Sequence, residues 1–147
     1  MSTQGESNYD FTKQIGFLLR RAYQRHTAIF QQTVPESRLT AAQFVVLLTL
    51  RDRGPCEIPA IVEQTAIDEA SLRGIVERLK WRKLLTAEHE SGDARTMVVG
   101  LTPEGVEMLA QTVPFAHEIT ELTYGDLSPQ ERATLVALLH KMEGTRA

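Results

Sequence analysis

Five cationic side chains fall within residues 73–83 of this chain, together with one anion, Glu77. The cations are Arg73, Arg78, Lys80, Arg82 and Lys83. Such a density of guanidinium and ammonium groups is typical of a surface that binds a polyanion, because each cation can replace a counterion condensed on a phosphate. A solvated helix face can be equally basic, so the charge by itself leaves both interpretations open.

The net charge of the whole chain hides this segment. The 147 residues contain 16 Lys and Arg against 19 Asp and Glu, which gives −3. Because residues 73–83 carry +4, the rest of the chain carries −7. The overall charge argues weakly against a polyanionic partner, whereas its distribution favours such a partner at one surface.

Composition and length narrow the class of protein. With 42% hydrophobic and 24% charged residues, the chain is predicted to be a soluble globular protein with a single domain over residues 1–147. No apolar run exceeds that of Phe44–Leu48, well short of the roughly 18 residues that span a bilayer. Residues 1–10 lack the pattern of a secretory signal, which predicts a cytoplasmic protein. Cys56 is the single cysteine, so an internal disulfide is excluded.

Hydrophobic periodicity predicts six helices that position these groups. The first begins near Tyr9 and ends before Pro35, and the second starts at Thr40, whose spacing from Gln43 is that of a capping box. A short third helix follows over residues 57–64. The fourth is capped by Asp68 and carries the basic segment opposite an apolar stripe of Leu72, Ile75, Val76 and Leu79.

After Lys83 the hydrophobic periodicity changes from that of helices to that of strands. Residues 84–90 and 96–101 predict two strands of a hairpin with a polar tip. Thr102 and Pro103 predict the start of a fifth helix, which Pro114 should kink, and Ser128 and Pro129 that of a sixth.

The third and fourth helices and the hairpin have the order of a helix-turn-helix followed by a wing. A major groove about 12 Å wide admits one helix, whose first residues must be short or able to donate hydrogen bonds to base edges and phosphates. The predicted contacts on this helix are Ala70, Ser71, Arg73, Gly74 and Arg78. At the wing tip, Arg95 is predicted to enter the minor groove, with Asp93 holding the loop or a neighbouring arginine. Trp81, late in the fourth helix, is expected to pack on the wing.

The segments Leu39–Phe44, Asp68–Leu79, Asp93–Arg95 and Leu101–Gly105 together resemble the MarR family of winged-helix transcription factors, and the likeness covers roughly residues 9–142. The wing motif Asp-x-Arg followed by Leu-Thr-x-x-Gly is specific in combination. One departure is Lys83, where the family commonly has glycine before the strand.

The resemblance implies a mainly α-helical, triangular homodimer that reads a pseudo-palindromic DNA operator. It assigns residues 9–34 and 103–147 to the dimerisation helices and residues 39–101 to the winged helix-turn-helix lobe. Helices one, five and six are also too apolar for a monomer to leave exposed. Two-fold symmetry would place the recognition helices about 34 Å apart, on an inverted repeat.

The segment Phe17–Phe30 is similar to that of family members that repress aromatic-acid catabolism, among them repressors of protocatechuate, hydroxybenzoate and nicotinate degradation. This similarity implies that Arg20 pairs with the carboxylate of an aromatic acid and that His26 and Phe30 lie in the same pocket. The ten-residue spacing predicts that Arg20 and Phe30 share a helix face, whereas His26 is turned about 120° from Arg20. A salt bridge from Arg20 to Glu118 or Glu121 is the alternative.

Other functions are weighed against this hypothesis. Two interpretations of Cys56 are open. It is either the reactive thiol of a redox-sensing regulator or a small residue of the core. A winged helix that binds only proteins is a further alternative. The chain shows no catalytic motif, so an enzyme is not expected, and the four histidines lack the spacing of a metal site, so neither metal nor cofactor is predicted.

Overall fold

A computed structural model describes residues 8–35, 39–90, 92 and 96–144. Within these ranges the chain forms seven α-helices and three strands. In chain order they are α1 (Ile15–Thr33), α2 (Ala41–Arg53), β1 (Cys56–Glu57), α3 (Ile58–Thr65), α4 (Glu69–Trp81), β2 (Leu85–His89), β3 (Met97–Leu101), α5 (Pro103–Thr112), α6 (Ala116–Tyr124) and α7 (Pro129–Glu143). No helix in the described ranges is both long and apolar enough to cross a membrane.

Side-chain caps start four helices where the sequence predicts them. Thr40 and Ser128 form full capping boxes, and Asp68 and Thr102 accept hydrogen bonds from the backbone N–H three residues on. Each cap satisfies a backbone donor that the first helical turn leaves without an intrahelical acceptor. The predicted mainly α-helical winged fold is confirmed.

Two helices differ from their predicted extent. The first was expected from Tyr9, but Asp10 accepts a hydrogen bond from the backbone of Thr12 and closes a 3₁₀ turn at Phe11–Lys13, so α1 begins only at Ile15. The predicted fifth helix is divided into α5 and α6 by a 3₁₀ turn at Val113–Phe115, where Pro114 lacks a backbone donor. This confirms the expected kink.

The sheet contains a strand that the sequence reasoning missed. Its order is β1-β3-β2, with both pairs antiparallel, and β1 adds the pairs Cys56–Val99 and Glu57–Val98 to the predicted hairpin. Two residues are too few for a period-two pattern, so β1 carries no sequence signal of its own. The hairpin register runs from Leu85–Leu101 to His89–Met97.

The buried core lies between α2, α3, α4 and the sheet. Its fully buried side chains include Leu47, Ile61, Leu72, Leu79, Leu85 and Val99. Phe30 of α1 reaches this core and packs against Phe44 of α2, with ring centroids 5.4 Å apart. Leu109 of α5 and Ile119 of α6 are also buried, so the core joins the winged lobe to the terminal helices.

The start of α5 is fitted tightly against the turn that follows α4. A Cβ at Gly105 would overlap the carbonyl oxygen of Leu84, so only glycine allows this approach. The Thr102 hydroxyl donates to the carbonyl of Lys83 at 2.7 Å, and the Thr102 N–H donates to that of Leu84 at 3.2 Å. We call these four residues the α4–α5 junction. They explain why threonine and glycine occur at this spacing.

Lys83 adopts a left-handed backbone with φ of +64°. This conformation brings the Lys83 N–H to the Lys80 carbonyl and the Leu84 N–H to the Leu79 carbonyl, which ends α4. A residue with a Cβ is strained there, which accounts for glycine being common at this position in the resembling family.

Replacing Lys83 by glycine should therefore raise the free energy of unfolding. The expected gain is about 0.5–1 kcal/mol, the relief of the left-handed strain less the greater freedom of an unfolded glycine. Urea denaturation measures it. Lys83→Ala is the matched control, because it removes the same charge but keeps the Cβ, and it should show no gain. Equal stability of the two variants would contradict the conclusion that a side chain at position 83 strains the backbone.

Candidate nucleic-acid interface and ligand site

The helix α4 presents its basic side away from the core. Its apolar stripe is buried, with Leu72 and Leu79 fully inaccessible. The opposite side holds the predicted contact residues Ala70, Ser71, Arg73, Gly74 and Arg78, all exposed except for the half-buried Gly74. Because Ala70 and Gly74 have small side chains or none, the backbone of α4 can approach a partner closely.

Two polar interactions order the first turns of α4. Asp68 accepts a hydrogen bond from the Ser71 N–H at 3.0 Å, and the hydrogen bonds from Ser71 lower the pKa of that carboxyl. Arg73 pairs with Glu69 across one turn, at 3.2 Å between Nη2 and Oε1. Both side chains are more than half exposed, so this ion pair adds little stability and Arg73 can exchange it for a phosphate.

The basic segment is not a uniform surface. Lys80 donates through Nζ to the Ala87 carbonyl of β2 at 3.1 Å, which directs this cation to the sheet. Arg82 is half-buried, whereas Arg78 and Lys83 are exposed. The exposed cations therefore lie along α4 and in the turn that ends it.

The expectation that Trp81 packs on the wing is wrong. Its side chain is 85% exposed, the highest value among the large hydrophobic residues that the structure describes. On an ideal helix Trp81 is about 180° from Leu72, so it cannot share the buried stripe. The predicted wing-tip contacts Asp93 and Arg95 lie outside the described residues and stay predictions.

The structure separates two of the three predicted ligand residues. Arg20 is exposed on α1, whereas Phe30 is 2% exposed and packs in the core. The prediction that they share a helix face is wrong, since a ten-residue spacing leaves them about 80° apart. In this conformation Phe30 offers almost no surface to a ligand. Within the chain Glu121 pairs with Arg132 at 2.6 Å, and the alternative salt bridge from Arg20 to Glu118 or Glu121 stays a prediction.

His26 is held in one tautomer by the end of α6. Its Nδ1 lies 2.9 Å from the Thr123 hydroxyl, which itself donates to the Ile119 carbonyl at 2.7 Å. Since that hydroxyl has one proton, it accepts from His26, and Nδ1 carries the hydrogen. Burial lowers the pKa of His26 below its ordinary value of 6.5, so the ring is neutral at pH 7 and Nε2 remains an acceptor.

Arg25, next to His26, anchors α1 to the same helix end. Its Nη2 donates to the Leu122 carbonyl at 2.8 Å, and its Nη1 donates to that of Thr123 at 3.4 Å. These carbonyls end α6 and lack intrahelical donors, which makes a guanidinium a favourable partner. The sequence alone gives no signal for this role of Arg25, because its partner lies 97 residues away.

Cys56 is half-buried in β1. Burial raises the pKa of its thiol above the ordinary value, although Arg53 lowers it in part. The thiolate is the form that reacts with peroxides, so this environment disfavours redox sensing.

A large apolar surface remains uncovered on the terminal helices. None of the side chains of α7 is buried. The exposed apolar residues of α1 and α7 are Ile15, Leu18, Leu19 and Tyr23, and Leu135, Val136, Leu138, Leu139 and Met142. Apolar side chains at this density on one helix face are typical of a surface that a partner covers.

A helix-turn-helix followed by a wing, with a basic exposed recognition helix, defines a winged-helix DNA-binding protein. No protein-family model matches the chain. The transcriptional repressor NicR of Pseudomonas putida is 48% identical over 91% of this chain and 85% of its own length. BpsR of Bordetella bronchiseptica, whose DNA binding is regulated by 6-hydroxynicotinic acid, has a solved structure. It is 55% identical to this chain, covers 93% of this chain and 98% of its own, and superposes with a TM-score of 0.86.

A MarR mutant from Escherichia coli, complexed with operator DNA, has the same fold, with a TM-score of 0.79 at 24% identity over 91% of this chain and 99% of that one. The chain belongs to the MarR family of transcriptional regulators.

The environment of His26 makes stability depend on pH. Because the folded state lowers the pKa of His26, the unfolded chain binds more protons below about pH 6.5, and the free energy of unfolding should fall as the pH falls through the folded pKa. Urea denaturation of His26→Gln from about pH 8 to 5 should show a flatter profile than the wild type. A matched His89→Gln variant, exposed on β2, should follow the wild type. Parallel profiles for His26→Gln and the wild type would contradict the assignment.

Proposed function

We propose that this chain is a cytoplasmic, homodimeric transcriptional repressor, and not an enzyme, which leaves a pseudo-palindromic operator when it binds a small aromatic carboxylic acid. The single observation that carries the proposal is the exposed basic face of α4, set beside the wing and backed by the buried core. The relatives NicR, a transcriptional repressor, and BpsR, whose DNA binding 6-hydroxynicotinic acid regulates, support it.

In this proposal α4 enters the major groove. Ala70 and Gly74 allow close approach, Ser71 donates to a base edge or phosphate, and Arg73 and Arg78 bind guanine or phosphate. At the wing tip, Arg95 enters the adjacent minor groove, and Asp93 holds the loop or a neighbouring arginine. The cations of residues 73–83 supply the attraction, while the acidic remainder of the chain disfavours other docking orientations.

The dimer would form through residues 9–34 and 103–147, and the lobe of residues 39–101 would bind DNA. The support is the uncovered apolar side chains of α1 and α7, since a helix such as α7 that buries no side chain gains little packing energy in the isolated chain. A two-fold axis through this surface places one α4 in each of two successive major grooves, about 34 Å apart.

The effector site would lie along α1. The Arg20 guanidinium binds the carboxylate with two parallel hydrogen bonds, and the free Nε2 of His26 accepts one from a ring hydroxyl or ring N–H. Phe30, which is buried in the core, would contact the ring only if α1 shifts on binding. This chemistry suits a hydroxylated pyridine or benzene carboxylic acid, with 6-hydroxynicotinate as the first compound to test.

The DNA interface is tested on duplexes that the protein selects from a random pool. They should contain an inverted repeat bound by two chains, with an affinity that falls steeply with salt. Arg73→Ala or Arg78→Ala should cost about 1–3 kcal/mol of binding free energy, measured by fluorescence anisotropy. Arg51→Ala, at the end of α2, is the control and should bind as the wild type. Binding of one chain to an asymmetric site, or a flat salt dependence, would contradict the proposal.

The effector site is tested by operator release. 6-Hydroxynicotinate should release the wild-type protein, whereas the amide of the same acid, which lacks the carboxylate charge, should not. Arg20→Ala should need roughly tenfold more acid or more, the loss of one charge-assisted hydrogen-bonded pair, while its operator affinity stays nearly unchanged. Arg21→Ala is the matched control, because it removes a guanidinium from the neighbouring position of α1. That guanidinium lies over the Phe17 ring, 5.8 Å from its centroid, and is not assigned to the effector. Release of Arg20→Ala at the wild-type concentration would refute the carboxylate assignment.

A further inference from the structure

We propose that Trp81 is an additional operator-contact residue, whose indole packs against the sugar–phosphate backbone at the rim of the major groove. This inference rests on the proposed function, because it requires that α4 enters that groove. It extends the contact surface beyond the predicted residues, the last of which is Arg78, to the C-terminal residue of the helix.

The position of Trp81 on α4 is the first support. Seven residues separate it from Gly74, which places the two side-chain directions within about 20° of each other and about 10.5 Å apart along the axis. Ala70 lies within about 40° of the same line. Trp81 therefore lies on the same side of α4 as Ala70 and Gly74, about 10.5 Å further along the helix axis than Gly74.

The exposure of Trp81 is the second support. A large aromatic side chain that is 85% exposed leaves most of its apolar surface in water. Within the described residues the indole has neither a hydrogen-bond acceptor nor a ring contact. The buried side of α4 packs on α2, α3 and β2, and Trp81 lies on the opposite side of the helix.

The charges around Trp81 indicate the partner. Two exposed cations lie near it, since Arg78 precedes it by about one turn and Lys83 follows it by two residues. An apolar protein surface would have to desolvate these cations without compensation, whereas a DNA backbone supplies phosphates for them. Beside those phosphates the indole N–H can donate to a phosphate oxygen, and the ring can cover the apolar face of a deoxyribose.

A backbone contact of a neutral residue has a distinctive signature. Trp81→Ala should weaken binding to the selected operator and to unrelated duplex by the same factor, roughly tenfold, without changing the preferred sequence. The slope of affinity against salt should stay as in the wild type, because no cation is lost, whereas Arg78→Ala should reduce it by about one. Trp81→Phe, which keeps the ring but not the N–H, should fall between the wild type and Trp81→Ala.

Trp81 is the single tryptophan of the chain, so its own emission reports its surroundings. Saturation with the selected operator should lower the acrylamide quenching constant severalfold and shift the emission, at the same DNA concentration at which labelled operator gains anisotropy. Val45→Ala, which alters an exposed apolar residue of α2, is the control and should leave both operator affinity and quenching unchanged. Thermal unfolding of each variant establishes that it folds.

Three results would overturn the inference. If the operator binds but Trp81 stays as quenchable as in free protein, and Trp81→Ala binds normally, the residue faces solvent in the complex and the proposed function stands without it. If Trp81 is already protected in free protein at high concentration, it docks against a second chain. If no duplex binds specifically, the proposed function fails together with this inference.

Discussion

The tight fit of α5 against the end of α4 is the constraint on which the rest of the structure depends. At the α4–α5 junction the first turn of α5 lies so close to the Leu84 carbonyl that Gly105 admits no side chain, and Thr102 bonds to the carbonyls of both Lys83 and Leu84. Because packed interiors resist such deformation, the recognition helix and the start of the terminal helices must move together. The position of α4 thus follows the position of α5.

The helix α1 supplies the other fixed points. Arg25 and His26 bind the end of α6, and one turn later Phe30 packs on Phe44 of the lobe. A ligand held between Arg20 and His26 would therefore lie on a helix that contacts both the terminal helices and the lobe. It would shift the lobes only if it binds the DNA-incompetent arrangement more tightly, and a coupling of about 1–3 kcal/mol changes operator affinity 5- to 150-fold.

Local signals in the sequence predict much of this fold. The caps at Thr40, Asp68, Thr102 and Ser128 each act within four residues, so their pattern is visible in the chain, and so is the proline that divides α5 from α6. Strand β1 was missed because its partners in β3, Val99 and Val98, lie more than forty residues further along the chain and because β1 has only two residues.

The residues of the candidate sites also fall into those that local sequence predicts and those that depend on distant contacts. The exposed face of α4 follows from helical periodicity, and the same periodicity, applied to Trp81, would have placed it on that face instead of on the wing. The tautomer of His26 depends on Thr123, and the burial of Phe30 depends on Phe44, so neither could be predicted from α1 alone. Arg20 could be assigned only through the resemblance to regulators of aromatic-acid catabolism, since its exposed side chain shows no specific local pattern.

The most direct test of the central claim is thermodynamic reciprocity between the two sites. Isothermal titration calorimetry would measure the Kd of 6-hydroxynicotinate for the free protein and for the protein saturated with its selected operator. Linkage requires that the operator weaken effector binding by the same factor by which the effector weakens operator binding, and the account predicts a factor of about 5 to 150. Equal affinity of the effector for free and operator-bound protein would contradict it.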